Sequence, residues 1–322
     1  LPILEGGGLD DAGGGIARQQ LAVAHGGGVQ RSAQVGDAPR AGRQQALGPC
    51  LVQGLQHAQG AGIGIGLQPH QRQAGFRQGV DQGRGLRLRL GGTTFTKAMI
   101  SGIKIKANGK VIVEGTGSDI DKINAYRGHV ADAAFLDLFF ADYQLNNELD
   151  RMVGAFDTSV GISNITSEIT IAGATAPTLS PILIESAAQK ASTGEAAPFA
   201  PLISKLLRYP FNIATGGRLP VTVPFGAQNG SIIKRLHVFH GGNMTGATVK
   251  QDGLVVHESV AAENQFDQTK AGRVPQTNVY TIDFTLDGNI KKALDTRDAR
   301  SLEWLFDFSA ADSGTIYVEY LD

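Results

Sequence analysis

Three histidines in the last third of the chain, His237, His240 and His257, are the side chains best suited to metal chemistry. β-barrel metalloenzymes of the cupin type place two histidines two residues apart, so that strand alternation points both at one ion. His237 and His240 are three apart, which puts them on opposite faces of a strand. The spacing therefore disfavours a metal site, and it assigns no metal ligand.

Other patterns typical of catalysis are missing from the sequence. Ser231 and Ser259 lie outside any G-x-S-x-G elbow, and the glycines of "GAGIGIG" at 60–66 recur every second residue, unlike those of a dinucleotide or Walker loop. The paired carboxylates fit helix caps or exposed turns better than acid–base catalysis; they are Asp119/Asp121 and Asp295/Asp298. We predict no catalytic residue, no cofactor-binding residue and no enzyme.

The composition narrows the class of protein. With 29 basic and 30 acidic residues among 322, the chain lacks the positive charge that phosphate binding requires, so we predict no direct sequence-specific binding of nucleic acid. Cys50 is its only cysteine, which excludes a disulfide framework. No apolar run is long enough to cross a bilayer, and no basic-then-apolar leader is recognisable. We therefore expect a soluble protein that is not exported.

The chain changes composition near Gly92. Residues 1–92 contain 23 of the 43 glycines and 14 glutamines, but no lysine, asparagine, threonine, tyrosine or tryptophan. They show almost no helix or strand periodicity, and their glycine runs cost too much backbone entropy to order without a packed face. We predict that this low-complexity segment is disordered or is a coding artefact.

Residues after Gly92 have the pattern of an all-β protein, with short alternating runs broken by turn dipeptides. The segments "IKANGKVIVE" at 105–114 and "VKQDGLVVHE" at 249–258 each place an Asn-Gly or Asp-Gly hairpin turn between two strand-like runs. A short helix is predicted after each hairpin, at 117–128 with Ser118 or Asp119 as its N-cap, and at 261–268. The hairpin-helix pattern therefore occurs twice.

The strand "VYTIDFTLDG" at 279–288 also has a twin, "LFFADYQLN" at 138–146, in which Asp142 corresponds to Asp283. Strict alternation predicts one buried set, Tyr280, Ile282, Phe284 and Leu286, and one set near water, Val279, Thr281, Asp283 and Thr285. The segment "SEITIAG" at 167–173 is matched in the same way to "TIYVEYL" at 315–321. The chain therefore carries two copies of one β-rich unit.

Each copy is predicted to be a jelly roll, because seven or eight strands with long connections and a small helix fit two sheets packed face to face. The fold class is all-β, with two jelly-roll β-sandwiches in one chain after an irregular N-terminal segment. The predicted domains are the low-complexity segment at 1–92, a first jelly roll at 93–175 whose front strands are missing, a linker at 176–218 and a second jelly roll at 219–322.

Three further segments, together with the strands above, carry a resemblance to a known family: "ISGIKIKANGKVI" at 100–112, "RMVGAFDTSVGISNITSEITI" at 151–171 and "KLLRYPFN" at 205–212. In order along residues 93–322, they resemble the double jelly-roll major capsid proteins of membrane-containing icosahedral bacteriophages, in particular those of corticoviruses. The resemblance implies a structural protein of the virion capsid, assembled in the host cytoplasm. It also implies homotrimers of pseudo-hexameric outline that tile a shell over an internal membrane.

The resemblance implies partners as well. They are neighbouring capsomers, penton or vertex proteins, membrane-associated virion proteins and the underlying lipid membrane. No cofactor is required, although calcium is found in similar coats and its ligands cannot be assigned here. Two other functions stay open on the sequence: a carbohydrate-binding β-sandwich with exposed aromatics, and a cupin-like metalloenzyme. Against the first, the aromatic residues are predicted to fill the core, namely Tyr280, Phe284, Trp304, Phe306 and Phe308.

Overall fold

The computed structural model describes residues 45–46, 62–67, 81–157, 162, 164–187, 202–224 and 230–322. In the first half of this part of the chain, the strands are β1 (Gln45–Ala46), β2 (Gly62–Leu67), β3 (Asp81–Gly91), β4 (Ile100–Ala107), β5 (Lys110–Gly115), β6 (Phe135–Phe139), β7 (Phe156–Asp157), β8 (Ile165–Ile171) and β9 (Thr178–Ala187). The helices are α1 (Gly117–Tyr126) and α2 (Glu148–Met152), and a 3-10 turn (Lys97–Met99) precedes β4.

The second half repeats this order. The strands are β10 (Ser204–Ile213), β11 (Gly217–Pro220), β12 (Ile232–Phe239), β13 (Met244–Gln251), β14 (Leu254–Val260), β15 (Val279–Asp283), β16 (Leu294–Asp295), β17 (Leu302–Phe308) and β18 (Asp312–Leu321). One α-helix, α3 (Ala261–Lys270), follows the β13–β14 hairpin, and a 3-10 turn (Ile290–Lys292) precedes β16. Both halves therefore have the hairpin-helix-strand order that the sequence predicts.

The strands form two sandwiches. In the first, β9, β3 and β6 make one layer and β5, β4, β8 and β2 make the other; in the second, β15, β12, β18 and β10 face β11, β17, β13 and β14. Strand β10 pairs with β18 along its whole length and meets β5 in parallel at Leu206 and Val113. Through this strand, one layer of each sandwich joins the other in a nine-stranded sheet. The all-β double jelly-roll prediction is confirmed.

Each sandwich has a separate apolar core, formed by the side chains that alternate inward from its two layers. The first core includes Leu88, Ile103, Ile105, Leu136 and Ile169. The second core includes Ile233, Leu236, Val249, Trp304, Phe306 and Ile316. The two jelly rolls therefore have independent hydrophobic cores. These cores do not account for the contact between the two jelly rolls.

The two hairpin turns confirm the internal repeat. Asn108 and Gly109 have φ values of 48° and 80°, and Asp252 and Gly253 have 51° and 81°. Both central residues of a type I′ turn need positive φ, which Asn, Asp and Gly adopt at the lowest cost. The same two-residue turn is therefore built twice. We call the number of residues from Asn108 to Asp252 the interval of the repeat.

The helices that follow are anchored by equivalent hydrogen bonds. The side-chain amide of Asn124 donates to the carbonyl of Asp137 at 2.7 Å, and that of Gln268 donates to the carbonyl of Thr281 at 2.7 Å. The two donors are separated by the interval of the repeat, and so are the two acceptors. The repeat thus extends from the hairpin through the helix to the next strand.

Helix α1 begins earlier than predicted. Thr116 is extended, with φ −103° and ψ 159°, and its Oγ1 accepts a hydrogen bond from the N–H of Asp119 at 3.2 Å. Thr116 is therefore the N-cap, and the prediction of Ser118 or Asp119 is wrong by at least two residues. Ile120, Ile123 and Tyr126, which follow one side of the helix, are all buried.

We expect Thr116→Ala to lower the free energy of unfolding by about 1 kcal/mol, because an orphan N–H at the helix start loses its acceptor. Ser118→Ala is the matched control, since Ser118 lies inside the first turn and its loss leaves the cap intact. Urea denaturation followed by circular dichroism measures both. Equal losses in the two variants would contradict the assignment of Thr116.

Two predicted boundaries do not match the strands. Residues 81–91 fall in the segment predicted to be disordered, yet they form β3, because Leu86, Leu88 and Leu90 alternate into the first core. Strand β2 lies in the same segment and pairs with β8, so the first jelly roll has strands before residue 93. The predicted linker at 176–218 likewise contains β9 and β10. Disorder and a coding artefact are the two predictions for residues 1–92. For the other residues between 1 and 80, these predictions concern positions that the structure does not describe.

One predicted correspondence within the repeat is also wrong. Strand β8, which contains most of the segment 167–173, pairs with the hairpin strand β4 as β17 pairs with β13. The closing strand β18 pairs with β12, and its counterpart β9 pairs with β3. The counterpart of 167–173 is therefore β17, because strand order and register define equivalence where short apolar segments look alike.

Candidate functional site

Strand β12 is buried on both faces. Leu236 and Val238 point into the second core, as alternation requires. Arg235 and His237 point the other way, and both are 0% exposed. The first jelly roll covers this outer face of the sheet made by β15, β12 and β18. A buried charged cluster between the two jelly rolls is therefore the most unusual feature of the described chain.

Arg235 lies at the centre of this cluster and binds three carboxylates. Its Nη1 donates to Oδ2 of Asp142 at 2.6 Å and to Oε2 of Glu319 at 3.1 Å, and its Nε donates to Oδ2 of Asp283 at 3.0 Å. Asp142 belongs to the first jelly roll and the other two carboxylates to the second. Because a guanidinium bonds carboxylates in fixed directions, Arg235 holds the two jelly rolls in one relative orientation.

The sequence matches the two aspartates bound by Arg235 to each other, and this correspondence is wrong. Asp283 pairs with Arg235 as Phe139 pairs with Gly85, and Phe139 precedes Asp283 by the interval of the repeat. The sequence also predicts a set near water on the strand of Asp283, and this is wrong, because all four side chains are buried: Val279, Thr281, Asp283 and Thr285. Strand β15 ends at Asp283, and the chain then turns. Alternation correctly separates the polar side of β15 from its core side, but the polar side faces the other jelly roll instead of solvent.

The end of α1 supplies two further contacts to the cluster. Arg127 Nη2 lies 2.7 Å from Oε2 of Glu319, and the hydroxyl of Tyr126 donates to Oδ2 of Asp283 at 3.1 Å. Both carboxylates therefore receive donors from each jelly roll. A buried charge is tolerated only when it is paired and hydrogen-bonded, and this arrangement satisfies that condition.

Two contacts extend the interface along α1. The hydroxyl of Tyr317 donates to Oδ2 of Asp119 at 2.6 Å. The Nζ of Lys122 lies 5.8 Å from the centroid of the Phe239 ring, within the range of a cation–π interaction. Helix α1 of the first jelly roll is thus laid across the outer face of the second.

Backbone hydrogen bonds also join the two jelly rolls. The N–H of Val274 donates to the carbonyl of Tyr126 at 3.0 Å, and the N–H of Asn146 donates to the carbonyl of Gly288 at 2.9 Å. These bonds do not depend on side-chain rotamers. They fix the loops that border the charged cluster.

The charges of the cluster hold Asp142 and Glu319 ionised. Burial alone would raise the pKa of Asp142, but the charge of Arg235 and two neighbouring cations outweighs burial and keeps that pKa well below its usual range. Burial also opposes ionisation of Glu319, and Arg127, Arg235 and a hydrogen bond with His237 lower its pKa in the same way. The network therefore stays charge-paired at neutral pH.

His237 is the member of the network whose side-chain type ordinarily titrates nearest to neutral pH. Its Nε2 lies 2.8 Å from Oε1 of Glu319, and its Nδ1 lies 3.0 Å from Oγ1 of Thr281. Burial lowers the pKa of His237; Glu319 opposes this shift, and the charges of Arg127 and Arg235 add to it. The folded chain therefore keeps His237 neutral at a pH where an exposed histidine would be charged.

We expect the free energy of unfolding to fall as the pH drops below about 6.5. An unfolded histidine binds its proton near that pH, whereas folded His237 binds it only at lower pH, so protons favour the unfolded state by up to about 1.4 kcal/mol per pH unit. Burial also lowers the pKa of His129, His240 and His257, which adds to the effect. Thermal denaturation across this range gives the slope, and His237→Gln should reduce it. An unchanged slope in that variant would show that His237 is not responsible.

The three histidines suggested for metal chemistry do not meet. His237 lies in the network, Nδ1 of His240 is 4.0 Å from Oδ2 of Asp312, and His257 is on β14 in the opposite layer. Among the described residues, no group of three or more His, Cys, Asp or Glu side chains could hold a metal ion. Calcium, implied by the family resemblance, stays a prediction.

The aromatic side chains do not form an exposed platform for a sugar. Tyr280, Trp304, Phe306 and Phe308 are buried, and Phe284 is half-buried against the second core. A sugar-binding face needs accessible rings. These residues therefore give no support to the carbohydrate-binding alternative.

Sequence reasoning missed Arg235 and Glu319, although both carry a signal. Each lies in a strand with apolar residues on both sides of its charged positions, in "IIKRLHVF" at 232–239, which also contains Lys234 and His237, and in "TIYVEYL" at 315–321. A strand whose apolar residues extend on both sides of its charges is typical of burial on both faces. The charge then needs a buried partner, and that partner identifies an interface.

Comparison with known families separates the same two units. The model "Viral coat protein P2 N-terminal domain" matches residues 84–190, and the model "Viral coat protein P2 C-terminal domain" matches residues 203–322. Together they cover more than half of the chain. The chain belongs to the viral coat protein P2 family. This coat protein is thus a structural capsid component of a virion and not an enzyme, which confirms the predicted capsid role, class and location in the virion. The trimer and the internal membrane stay predictions.

Solved structures share the fold of this coat protein. The major capsid protein P2 from Bacteriophage PM2 is 18% identical over 82% of this chain and 92% of its own, with a TM-score of 0.68. A chain of Sulfolobus Turreted Icosahedral Virus is 15% identical over 82% of this chain and 87% of its own, with a TM-score of 0.58. A comparison with curated proteins finds no match. None of the helices within the described ranges is both long and apolar enough to cross a membrane.

Proposed function

We propose that three copies of this coat protein form a trimer of pseudo-hexagonal outline, and that such trimers tile an icosahedral shell over an internal membrane. Three chains with two jelly rolls each supply six similar units, which is what hexagonal packing of a flat facet requires. The observation that carries this proposal is the buried network around Arg235, because it makes two jelly rolls behave as one body.

A rigid pair suits a tile better than two tethered domains. Contacts within a chain that are small and polar normally permit domain motion. Here Asp142 and Arg127 of the first jelly roll are buried against Arg235 and Glu319 of the second. Separating the two jelly rolls would break these ion pairs and leave each buried charge without its present partners. The angle between the two units is therefore set before assembly, so a growing shell does not have to fix it.

The proposed partners follow from this role. They are neighbouring trimers, penton or vertex proteins, membrane-associated virion proteins and the lipid under the shell. The near-neutral charge of the chain, 29 basic against 30 acidic residues, gives no support for direct sequence-specific contact with the genome. Its role is to form a surface that packs with copies of itself.

Size-exclusion chromatography with light scattering tests the oligomer. The expected mass is three times the chain mass of 33.8 kDa. Electron cryomicroscopy of the source particle tests the rest, with pseudo-hexagonal capsomers above a bilayer as the expected density. A monomer at every concentration, together with particles that lack such capsomers, would overturn the proposal.

A further inference from the structure

One sheet face of the first jelly roll is open where its counterpart in the second is covered. The covered face is the outer side of β15, β12 and β18. Its counterpart is the outer side of β6, β3 and β9, which presents Arg87, Arg89 and Phe135, and on which the Phe139 ring is stacked against His129. Arg89 is exposed, and a cleft of about 240 Å³ lies between this face and α1. We call this surface the open face.

Strand register relates the open face to the covered face residue by residue. Asp137 and Thr281 are equivalent. The backbone carbonyl of each accepts a hydrogen bond from a side-chain amide of the preceding helix, and the two residues are separated by the interval of the repeat. The cross-strand partner of Asp137 is Arg87, and that of Thr281 is His237. Arg87 therefore stands on the open face where His237 stands on the covered face.

The next outward residue of β3 follows the same rule. Arg89 pairs with Phe135 as Phe239 pairs with Val279, and Phe135 and Val279 are again separated by the interval of the repeat. On the covered face, Lys122 of α1 lies over the ring of Phe239. On the open face, the cation is Arg89, which is exposed, while Arg87 lies 5.7 Å from the centroid of the Phe135 ring.

The helix that does the covering also has a counterpart. The three side chains of α1 that contact the covered face are Asp119, Lys122 and Tyr126. Their counterparts in α3, one interval of the repeat later, are Glu263, Phe266 and Lys270. All three are exposed, and Phe266 is 67% exposed. Their spacing places them on one side of the helix, with an aromatic ring between two opposite charges.

We propose that α3 of one copy of this coat protein docks on the open face of the next copy. Phe266 then lies against Arg89 of the neighbouring copy, as Lys122 lies against Phe239 within the chain. The cation and the ring exchange places, and the cation–π contact is kept. The occupant is a second copy, because this chain carries both halves of the contact and the contact repeats one that it already makes.

The charges on the two surfaces are complementary. The open face carries Arg87, Arg89 and Asp137, and the docking side of α3 carries Glu263 and Lys270. Arg87 is bound to Asp137 through two hydrogen bonds, which holds both side chains on the open face. Opposite charges on both surfaces fix the register of the docked helix.

The loop after each helix agrees with this arrangement. Val130 is the counterpart of Val274, whose N–H donates to the carbonyl of Tyr126 across the interface within the chain. Val130 is 96% exposed. In the docked pair, its N–H faces the carbonyl of Lys270 of the neighbouring copy, which is the counterpart of Tyr126.

The contact is head to tail, because each chain presents α3 on one jelly roll and the open face on the other. A heterologous contact of this kind generates a closed ring when its rotation permits closure. The inference rests on the proposed trimer and names the surface through which that trimer forms. A closed ring leaves no open face and no uncovered Phe266.

The test compares full-length variants by light scattering across a dilution series. Phe266→Lys places a cation against Arg89 and is expected to raise the concentration at which the trimer dissociates by at least about tenfold. Adding Arg89→Glu to Phe266→Lys should restore the trimer through an ion pair. Leu254→Lys is the matched control, since Leu254 is a 73% exposed residue at the start of β14, away from the docking side of α3.

The outcomes separate this inference from the proposed function. A wild-type trimer that Phe266→Lys leaves unchanged, or a double variant that stays dissociated while its circular dichroism matches the wild type, would refute the docking surface and leave the trimer standing. A wild-type chain that is monomeric at every concentration would remove the proposed function itself. Loss of the trimer in Phe266→Lys, its recovery in the double variant and an unaffected Leu254→Lys support the proposal.

Discussion

Replacing Arg235 with methionine is expected to lower the free energy of unfolding by about 3–5 kcal/mol. Methionine is shorter than arginine but unbranched and apolar, and it leaves three buried carboxylates, Asp142, Asp283 and Glu319, without their shared cation. Repulsion and desolvation then favour separation of the two jelly rolls. Urea denaturation measures the loss, and particle yield reports whether the loosened chain still assembles.

Arg218→Met provides the matched control. The guanidinium of Arg218 also bonds a carboxylate, Asp307, at 2.8 Å, but its side chain is 50% exposed, so the pair is weakened by solvent. Its denaturation midpoint should match that of the wild type. A double-mutant cycle of Arg235→Met with Asp142→Asn should be strongly non-additive. Additive effects, or equal losses at Arg235 and Arg218, would refute the central role of Arg235.

Truncating the adjacent residue in Leu236→Ala should cost about 2–5 kcal/mol. Leu236 is 0% exposed and lies in the core of the second jelly roll, so its removal deletes apolar contacts and leaves a cavity. The same substitution at Leu254, which is exposed, should change stability by less than about 0.5 kcal/mol. Denaturant midpoints of the two variants measure the difference. Similar midpoints would contradict the orientation assigned to β12.

The two neighbouring substitutions should also differ in kind. Leu236→Ala weakens one jelly roll, so faster hydrogen exchange is expected throughout the second core. Arg235→Met weakens the contact between jelly rolls, so exchange should rise first at bonds that cross it, such as the one from Val274 to Tyr126. The same pattern of exchange in both variants would show that the interface and the core unfold as one unit.

The sequence predicted the local geometry well, because short-range chemistry decides it. The Asn-Gly and Asp-Gly turns at 108–109 and 252–253 supply the positive φ values that a two-residue hairpin needs. Helices α1 and α3 follow them as predicted, although the cap at Thr116 was missed. The alternation of β15 correctly separated its core side from its polar side.

Composition misled the interpretation of residues 81–91. The segment before Gly92 is rich in glycine and arginine, and these averages hide the alternation of leucine with arginine in β3. The physical signal for a strand is period two along the chain, and it survives an unusual composition. The spacing of Leu86, Leu88 and Leu90 by itself indicates β3, the strand that carries Arg87 and Arg89 of the open face.

The sequence by itself determined the duplicated all-β unit, its hairpins and the absence of a recognisable catalytic motif, since these depend on residues close together in the chain. The tertiary structure alone decided that Asp142 and Asp283 share Arg235 and that the outer face of β12 is covered. A polar strand face has the same alternation whether it meets water or another domain. Its environment is set by residues far away along the chain, which no local pattern encodes.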